Sequence, residues 1–79
     1  MQKRIREIAA DVFGLSADEL PEDASNENVI GWDSLHHLEL MLALEMEFGI
    51  AISSEAMPAL LSIDAIEDHL REQGVPASA

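Results

Sequence analysis

The stretch Gly31-Trp32-Asp33-Ser34-Leu35 and the segment that follows it, His36 to Phe48, decide the fold. From Ser34 to Phe48 the sequence contains no Gly, no Pro and no β-branched residue, and it is rich in Leu, Met, Ala and Glu. These residue types favour an α-helix. The pattern therefore predicts a helix with Ser34 in its first turn, where position alone indicates a capping role for the serine.

The apolar residues of this helix fall on two nearly opposite stripes when they are placed at about 100° per residue. One stripe is Leu40, Met41, Leu44 and Phe48. The other is Leu35, Leu38, Leu42 and Met46, flanked by Glu39 and Glu45. A helix in a small bundle needs one apolar stripe for packing, so the second indicates either burial on all sides or a surface that meets a partner or guest molecule. Full burial is hard to arrange in so short a chain, which favours the second interpretation.

The composition predicts one small domain over residues 1–79, because a chain of this size buries only about 60% of the surface that its unfolded form exposes. The absence of Cys excludes disulfides, thiolate metal sites and cysteine nucleophiles. No apolar run approaches the roughly 18 residues of a membrane span, and the first residues do not have the pattern of a secretory leader. We therefore expect a soluble, cytoplasmic and monomeric protein.

The charge is strongly acidic, with four Lys and Arg against sixteen Asp and Glu and a formal net charge of −12. The basic residues Lys3, Arg4, Arg6 and Arg71 stand near the two ends, and no Lys or Arg occurs between them. Such a surface repels nucleic-acid backbones and anionic lipid, and it attracts basic patches on proteins. Basic proteins are therefore the expected partners, and nucleic acid is not.

Before the central helix, the sequence predicts one helix and one long loop. The apolar spacing indicates a helix from Gln2 to Phe13 that Gly14 ends. Ser16-Ala17-Asp18-Glu19 fits a capping box and predicts one helical turn before Pro21. The residues that follow, up to Asp33, are polar and aperiodic, and they predict a loop. The expected apolar anchors of this loop are Leu20, Val29 and Ile30.

After the central helix, the sequence predicts a short helix and a final helix. The short helix is expected from Ser54 to Leu60, with an irregular middle because Pro58 interrupts it. Ser62 is the expected cap of the final helix, which Gly74 ends. The small residues from Val75 to Ala79 are expected to form a disordered tail.

The sequence around Ser34 resembles the acyl carrier proteins. The resemblance lies in Asp33-Ser34-Leu35 and in the helix that continues through Leu38-Glu39-Leu40, Leu44-Glu45 and Glu47-Phe48-Gly49. The order of helices and loop extends it over nearly the whole chain. It implies an all-α four-helix bundle, with three main helices plus one short helix and a long loop between helices 1 and 2. It also implies a covalent 4'-phosphopantetheine arm, taken from coenzyme A, on Ser34.

The resemblance further implies a carrier without catalysis of its own. Such a protein holds acyl intermediates as thioesters on the arm and delivers them to fatty-acid, polyketide or related biosynthetic enzymes. Its partners are a phosphopantetheinyl transferase and acyl-loading and acyl-processing enzymes with basic docking patches. The expected partner contacts are Asp33, Leu35, His36, Leu38, Glu39, Leu42, Glu45 and Met46. The candidates for the lining of an inner cavity for the cargo are Leu40, Leu44, Ile52, Leu60 and Ile66.

Four residues near the motif carry further expectations. His36 stands where many fatty-acid carriers have an acidic residue, and Met46 stands where the family often has another acid. The difference at His36 indicates a specialised carrier, and the difference at Met46 indicates a more apolar docking face. His37 falls at the edge of the core stripe, whereas His36 is expected to be exposed. Trp32 is interpreted either as a packing plug for the loop or as a contact to the arm.

Other site chemistries fit the sequence poorly. Ser34 lacks the Gly-x-Ser-x-Gly elbow of a catalytic serine, since Trp32 and His36 hold the glycine positions. The adjacent His36 and His37 point about 100° apart on a helix and cannot bind zinc together. A calcium loop from Asp23 lacks its sixth-position Gly and its final Glu. Two alternative functions stay open: an aminoacyl or peptidyl carrier of a nonribosomal-peptide-type pathway, or an unmodified acidic helical interaction module.

Overall fold

A computed structural model describes residues 1–76, in which three α-helices are joined through two 3-10 turns. The helices are α1, Gln2–Phe13; α2, Ser34–Phe48; and α3, Ile63–Glu72. The 3-10 turns are Ala17–Glu19 and Met57–Ala59. The all-α fold and the predicted bounds of α1 are confirmed. None of the helices in this part of the chain is long and apolar enough to cross a bilayer.

The end of α1 follows the predicted chemistry. Gly14 has a φ of 73°, a left-handed conformation that glycine adopts without steric cost, and the Leu15 N–H donates to the Ala10 carbonyl at 2.8 Å. The next turn begins at Ser16, whose N–H donates to the Glu19 carboxylate at 2.9 Å. The capping box is therefore confirmed.

The core lies between the helices, and α1 packs against both α2 and α3. The largest fully buried side chains are Ile5, Leu40, Met41, Leu44, Ile63, Ile66 and Leu70. The candidates for an inner lining are each exposed by 5% or less, and they are Leu40, Leu44, Ile52, Leu60 and Ile66. Leu40, Met41 and Leu44 of the predicted stripe of α2 therefore lie in the centre of the core, whereas Phe48 at the end of that stripe is half-buried.

The long loop is held against the core, although one predicted anchor is wrong. Leu20 and Val29 are buried as predicted, whereas Ile30 is 95% exposed. The Trp32 backbone N–H donates to the Val29 carbonyl at 3.2 Å and closes a turn. Val29 and Trp32 at the two ends of this turn are buried, and Ile30 between them faces outward. Ala24 is the buried anchor that the sequence pattern missed.

The loop also bonds to the segment before α3. The Asn26 N–H donates to the Leu61 carbonyl at 3.0 Å, and the Ile63 N–H donates to the Ala24 carbonyl at 3.1 Å. These bonds surround an isolated antiparallel bridge between Ser25 and Ser62. They place the end of the loop beside the segment that precedes α3.

The predicted short helix over residues 54–60 is reduced to the 3-10 turn Met57–Ala59. Pro58 has no N–H, so an α-helical ladder cannot continue through it. The N–H groups of Ala59 and Leu60 donate instead three residues back, at 3.0 and 3.1 Å. The predicted helix is therefore too long.

The chain continues to pack beyond α3. Val75 is only 9% exposed, and its N–H donates to the Leu70 carbonyl at 3.0 Å. The expectation of a disordered tail is wrong for Val75, because its side chain joins the core after the turn at Gly74. Residues 77–79 of the expected tail lie outside the described residues.

Candidate functional site

The first turn of α2 is capped by Asp33 rather than by Ser34. Asp33 is in an extended conformation, and its Oδ1 accepts the His36 N–H at 2.9 Å. Ser34 is therefore the first helical residue, one position inside the cap. Position alone indicated that Ser34 caps the helix, and this is wrong. The Asp33 carboxylate is the cap, because it accepts the His36 N–H.

The Ser34 side chain is exposed at the N-terminal end of a 15-residue helix. Its hydroxyl makes no hydrogen bond to any other group in residues 1–76. Unpaired N–H groups and the helix dipole make this end of a helix favourable for a phosphate group. An incoming enzyme can therefore reach the hydroxyl, and a phosphodiester there would be in a favourable position.

Asp33 and His36 form a second contact beside Ser34. His36 Nδ1 lies 2.8 Å from Asp33 Oδ1, and since a carboxylate can only accept, the imidazole donates. The His36 N–H, followed by the His36 side chain, holds the pKa of Asp33 below its usual value. The expected exposure of His36 is only partly realised: its side chain is 35% exposed, and the Phe13 ring lies edge-on to it at 6.5 Å.

Trp32 packs under the motif. It is 6% exposed, and its ring centroid lies 5.0 Å from that of Phe13. Gly31 before it has a φ of 100°, and a Cβ added there would lie 3.7 Å from the Phe13 carbonyl oxygen. Of the two interpretations of Trp32, the structure supports the packing plug.

His37 makes two contacts that the sequence pattern did not reveal. Its Nδ1 accepts the Trp32 indole N–H at 3.0 Å, and its Nε2 lies 2.8 Å from the Met57 carbonyl oxygen. A helical wheel indicates which side of the helix a residue occupies, but it does not indicate hydrogen bonds to other segments. The boundary position was therefore the only available signal.

A cleft of about 440 Å³ opens beside Ser34. Its walls come from the end of the loop, the head of α2 and the segment before α3. It is lined by Asn26, Trp32, Asp33, Ser34, His37, Pro58 and Leu61. The fold therefore places the exposed hydroxyl at the edge of a cleft built from three separate segments.

The second apolar stripe of α2 is on the surface. Leu35, Leu38, Leu42 and Met46 are exposed by 63%, 48%, 50% and 86%. Glu39 is exposed beside them, whereas Glu45 is half-buried and accepts the Ile52 N–H at 2.7 Å. The structure therefore brings the predicted partner residues together along one surface, and it also gives Glu45 a structural contact.

Two of the four basic side chains pair with acids other than those near Ser34. Arg4 pairs with Glu47 at 2.8 Å, at the end of α2 opposite Ser34, and Arg71 pairs with Glu67 at 3.2 Å. Asp33 and Glu39 have no Lys or Arg partner among the residues described. The region around Ser34 therefore combines exposed apolar side chains with carboxylates that lack a Lys or Arg partner.

A family model described as the phosphopantetheine attachment site matches residues 3–70. The chain belongs to this family of carrier proteins. The match covers all of α1 and α2 except Gln2, and α3 as far as Leu70. The carrier's cofactor is therefore covalently attached 4'-phosphopantetheine, as the resemblance implied. Carriers of this family generally do not catalyse reactions themselves, and they interact with a phosphopantetheinyl transferase and with biosynthetic enzymes.

Proposed function

We propose that the carrier holds acyl groups as thioesters on a 4'-phosphopantetheine arm attached to Ser34. The observation that carries this proposal is the exposed Ser34 hydroxyl, free of hydrogen bonds within the described residues, at the first position of α2. Phosphate at the N-terminus of a 15-residue helix is stabilised by its unpaired N–H groups. Family membership supplies the chemistry of the arm.

The attachment is a transfer from coenzyme A. The Ser34 oxygen attacks the phosphate that bears the pantetheine portion, and a phosphodiester forms. The bond to the second phosphate of the diphosphate breaks, and adenosine bisphosphate leaves. The serine proton passes to a base on the transferase. The terminal thiol of the arm is then free to form a thioester with the cargo.

The carrier acts by tethering, and it performs no chemistry on the cargo. An arm fixed at one end raises the effective concentration of its cargo at a docked enzyme without any new contact between carrier and cargo. A single domain with its arm at one end of the longest helix suits this task. The products are those of fatty-acid, polyketide or related pathways.

The docking surface is the exposed stripe of α2 with the acids beside it. We assign it Asp33, Leu35, His36, Leu38, Glu39, Leu42, Glu45 and Met46. Partners with apolar pockets rimmed by Lys and Arg complement such a surface in both shape and charge. The half-buried Glu45 contributes less charge than Glu39, since one of its oxygens binds the Ile52 N–H.

The acidic charge favours acyl cargo over aminoacyl or peptidyl cargo. An aminoacyl carrier undergoes the same attachment at Ser34 but is loaded by an adenylating enzyme. Loading of the armed carrier by an acyl-loading enzyme, and not by an adenylating enzyme with an amino acid, supports the proposed class. The opposite result assigns it to the other class.

Intact-mass measurement after incubation with a transferase and coenzyme A tests the attachment. The wild-type carrier is expected to gain the mass of one phosphopantetheine, and Ser34→Ala is expected to gain none. Ser54→Ala is the matched control, because Ser54 is also exposed and makes no hydrogen bond through its side chain within the described residues. An unchanged wild-type mass with an active transferase would refute the proposal.

A further inference from the structure

The His37 imidazole joins three segments of the chain. It receives the Trp32 indole N–H at Nδ1, 3.0 Å away, and Nε2 lies 2.8 Å from the Met57 carbonyl oxygen. An indole N–H can only donate and a carbonyl can only accept, so Nδ1 must be without hydrogen and Nε2 must carry one. This is the neutral imidazole. The loop, α2 and the 3-10 turn are therefore connected by one specific protonation state of one side chain.

These three segments are also the walls of the cleft beside Ser34. Trp32 comes two residues before Ser34, His37 lies one helical turn after it, and Pro58 and Leu61 also line the cleft. Trp32 and His37 also stack, with ring centroids 6.2 Å apart and planes inclined by 24°. A change at His37 therefore affects the loop end and the 3-10 turn that line the cleft beside the Ser34 hydroxyl.

We propose that neutral His37 is a positioning residue for attachment of the arm: it fixes Trp32 and the 3-10 turn in the cleft beside Ser34. This inference rests on the proposed attachment at Ser34. When His37 is neutral, the transferase meets an ordered loop end and an ordered cleft. Without the two hydrogen bonds these segments must be ordered during binding, which weakens the complex. We therefore expect loss of these two bonds to raise the KM of the transferase for the carrier more than it lowers kcat.

Protonation of His37 removes one of the two bonds. An imidazolium carries hydrogen on both nitrogens, so Nδ1 can no longer accept from Trp32, whereas Nε2 can still donate to the Met57 carbonyl. Among the residues that line the cleft with His37, Asp33 is the only other titratable one, and its carboxylate is bound by His36. The loop contributes Asn26 and Trp32, and the segment before α3 contributes Pro58 and Leu61, none of which titrates.

The test compares transfer rates of the wild type and H37L over a range of pH. Leu fills a similar volume but makes neither hydrogen bond and cannot be protonated. At pH 8 we expect kcat/KM of the transferase for H37L to be about tenfold lower, mainly through KM, since two hydrogen bonds are lost. The ratio of wild-type to H37L rates is expected to fall on acidification, because a protonated His37 can no longer accept the Trp32 indole N–H. The pH dependence of the transferase itself cancels in this ratio.

Trp32 gives a second measurement that needs no enzyme, because it is the only Trp in the chain. Its fluorescence is expected to change in one step when the wild type is acidified and Nδ1 of His37 gains a hydrogen. H37Q, whose side chain takes up no proton, should lose this step. H69Q should keep it, because His69 lies on α3 and contacts Gln73. This measurement decides the question if H37L does not fold.

The possible results separate the two proposals. Equal transfer rates for H37L and the wild type, or a rate ratio that does not vary with pH, would refute the role of His37 and leave attachment at Ser34 intact. A fluorescence step that persists in H37Q would refute it as well. If the wild type itself gains no arm, attachment at Ser34 fails, and the role of His37 fails with it.

Discussion

The two apolar stripes of α2 are similar in residue type, but one is buried and the other is exposed. Leu40, Met41 and Leu44 are fully buried, whereas Leu35, Leu42 and Met46 are exposed by half or more. Burial of apolar surface stabilises the fold, and apolar surface left in water becomes available to a partner. One helix therefore has two sides that its composition cannot distinguish: one holds the bundle together, and the other is the surface that we propose for docking beside Ser34.

The largest expected effect is a difference in the free energy of unfolding between substitutions on the buried and on the exposed stripe of α2. Leu44→Ala should lower the free energy of unfolding by about 3 kcal/mol, because it leaves a cavity in the core. Leu42→Ala, the same change on the exposed side, should lower it by less than about 0.5 kcal/mol. Urea unfolding followed by circular dichroism measures both values. Equal losses for the two variants would contradict the division of the helix.

A charge on the exposed side should affect partners and leave the fold intact. We expect Leu42→Glu to lower kcat/KM of a docked enzyme by about tenfold, since the carboxylate must be buried against an apolar pocket. Its urea midpoint should match that of the wild type. Ala51→Glu is the control, because it adds the same charge at an exposed position outside α2. If both variants slow the enzyme equally, net charge rather than the stripe controls docking.

The smallest expected effect concerns Asp33, the N-terminal cap of α2. The pKa of Asp33 is lowered in the folded state by hydrogen bonds from the His36 N–H and then from its side chain. Its stabilising contribution is therefore present above the ordinary pKa of an Asp, and it is lost as the pH falls through the lowered value.

Asp33→Ala should accordingly reduce the melting temperature at neutral pH, by an amount that shrinks toward zero in acid. Thermal unfolding of both proteins at a series of pH values measures this difference. Asp68→Ala serves as a control, since Asp68 is exposed and its side chain makes no hydrogen bond within residues 1–76. If the difference in melting temperature between the wild type and Asp33→Ala grows on acidification, the proposed cap is contradicted.

Most of the fold could be predicted because it depends on patterns within single segments. The period of the apolar residues located α1, and the two stripes of α2 were visible because the helix places every third or fourth residue on one side. The capping box at Ser16 is equally local. Pro58 correctly signalled an irregular segment, but how little helix would remain depended on hydrogen bonds that the sequence pattern does not show.

The missed features depend on contacts between segments. Ile30 and Val29 are both apolar neighbours in a loop, and only the turn formed with Trp32 determines which of them is buried. The two bonds of His37 reach residues five positions before it and twenty positions after it. Nor did the sequence pattern distinguish Asp33 from Ser34 as the cap, since both are good capping residues one position apart.

The most direct test of the account is to locate the arm on the chain. The carrier is incubated with transferase and coenzyme A, cleaved, and its peptides are sequenced by mass spectrometry. The added phosphopantetheine is expected on Ser34 and on no other serine. An arm on any other residue, or an unmodified Ser34 in a carrier that has gained the mass, would contradict it.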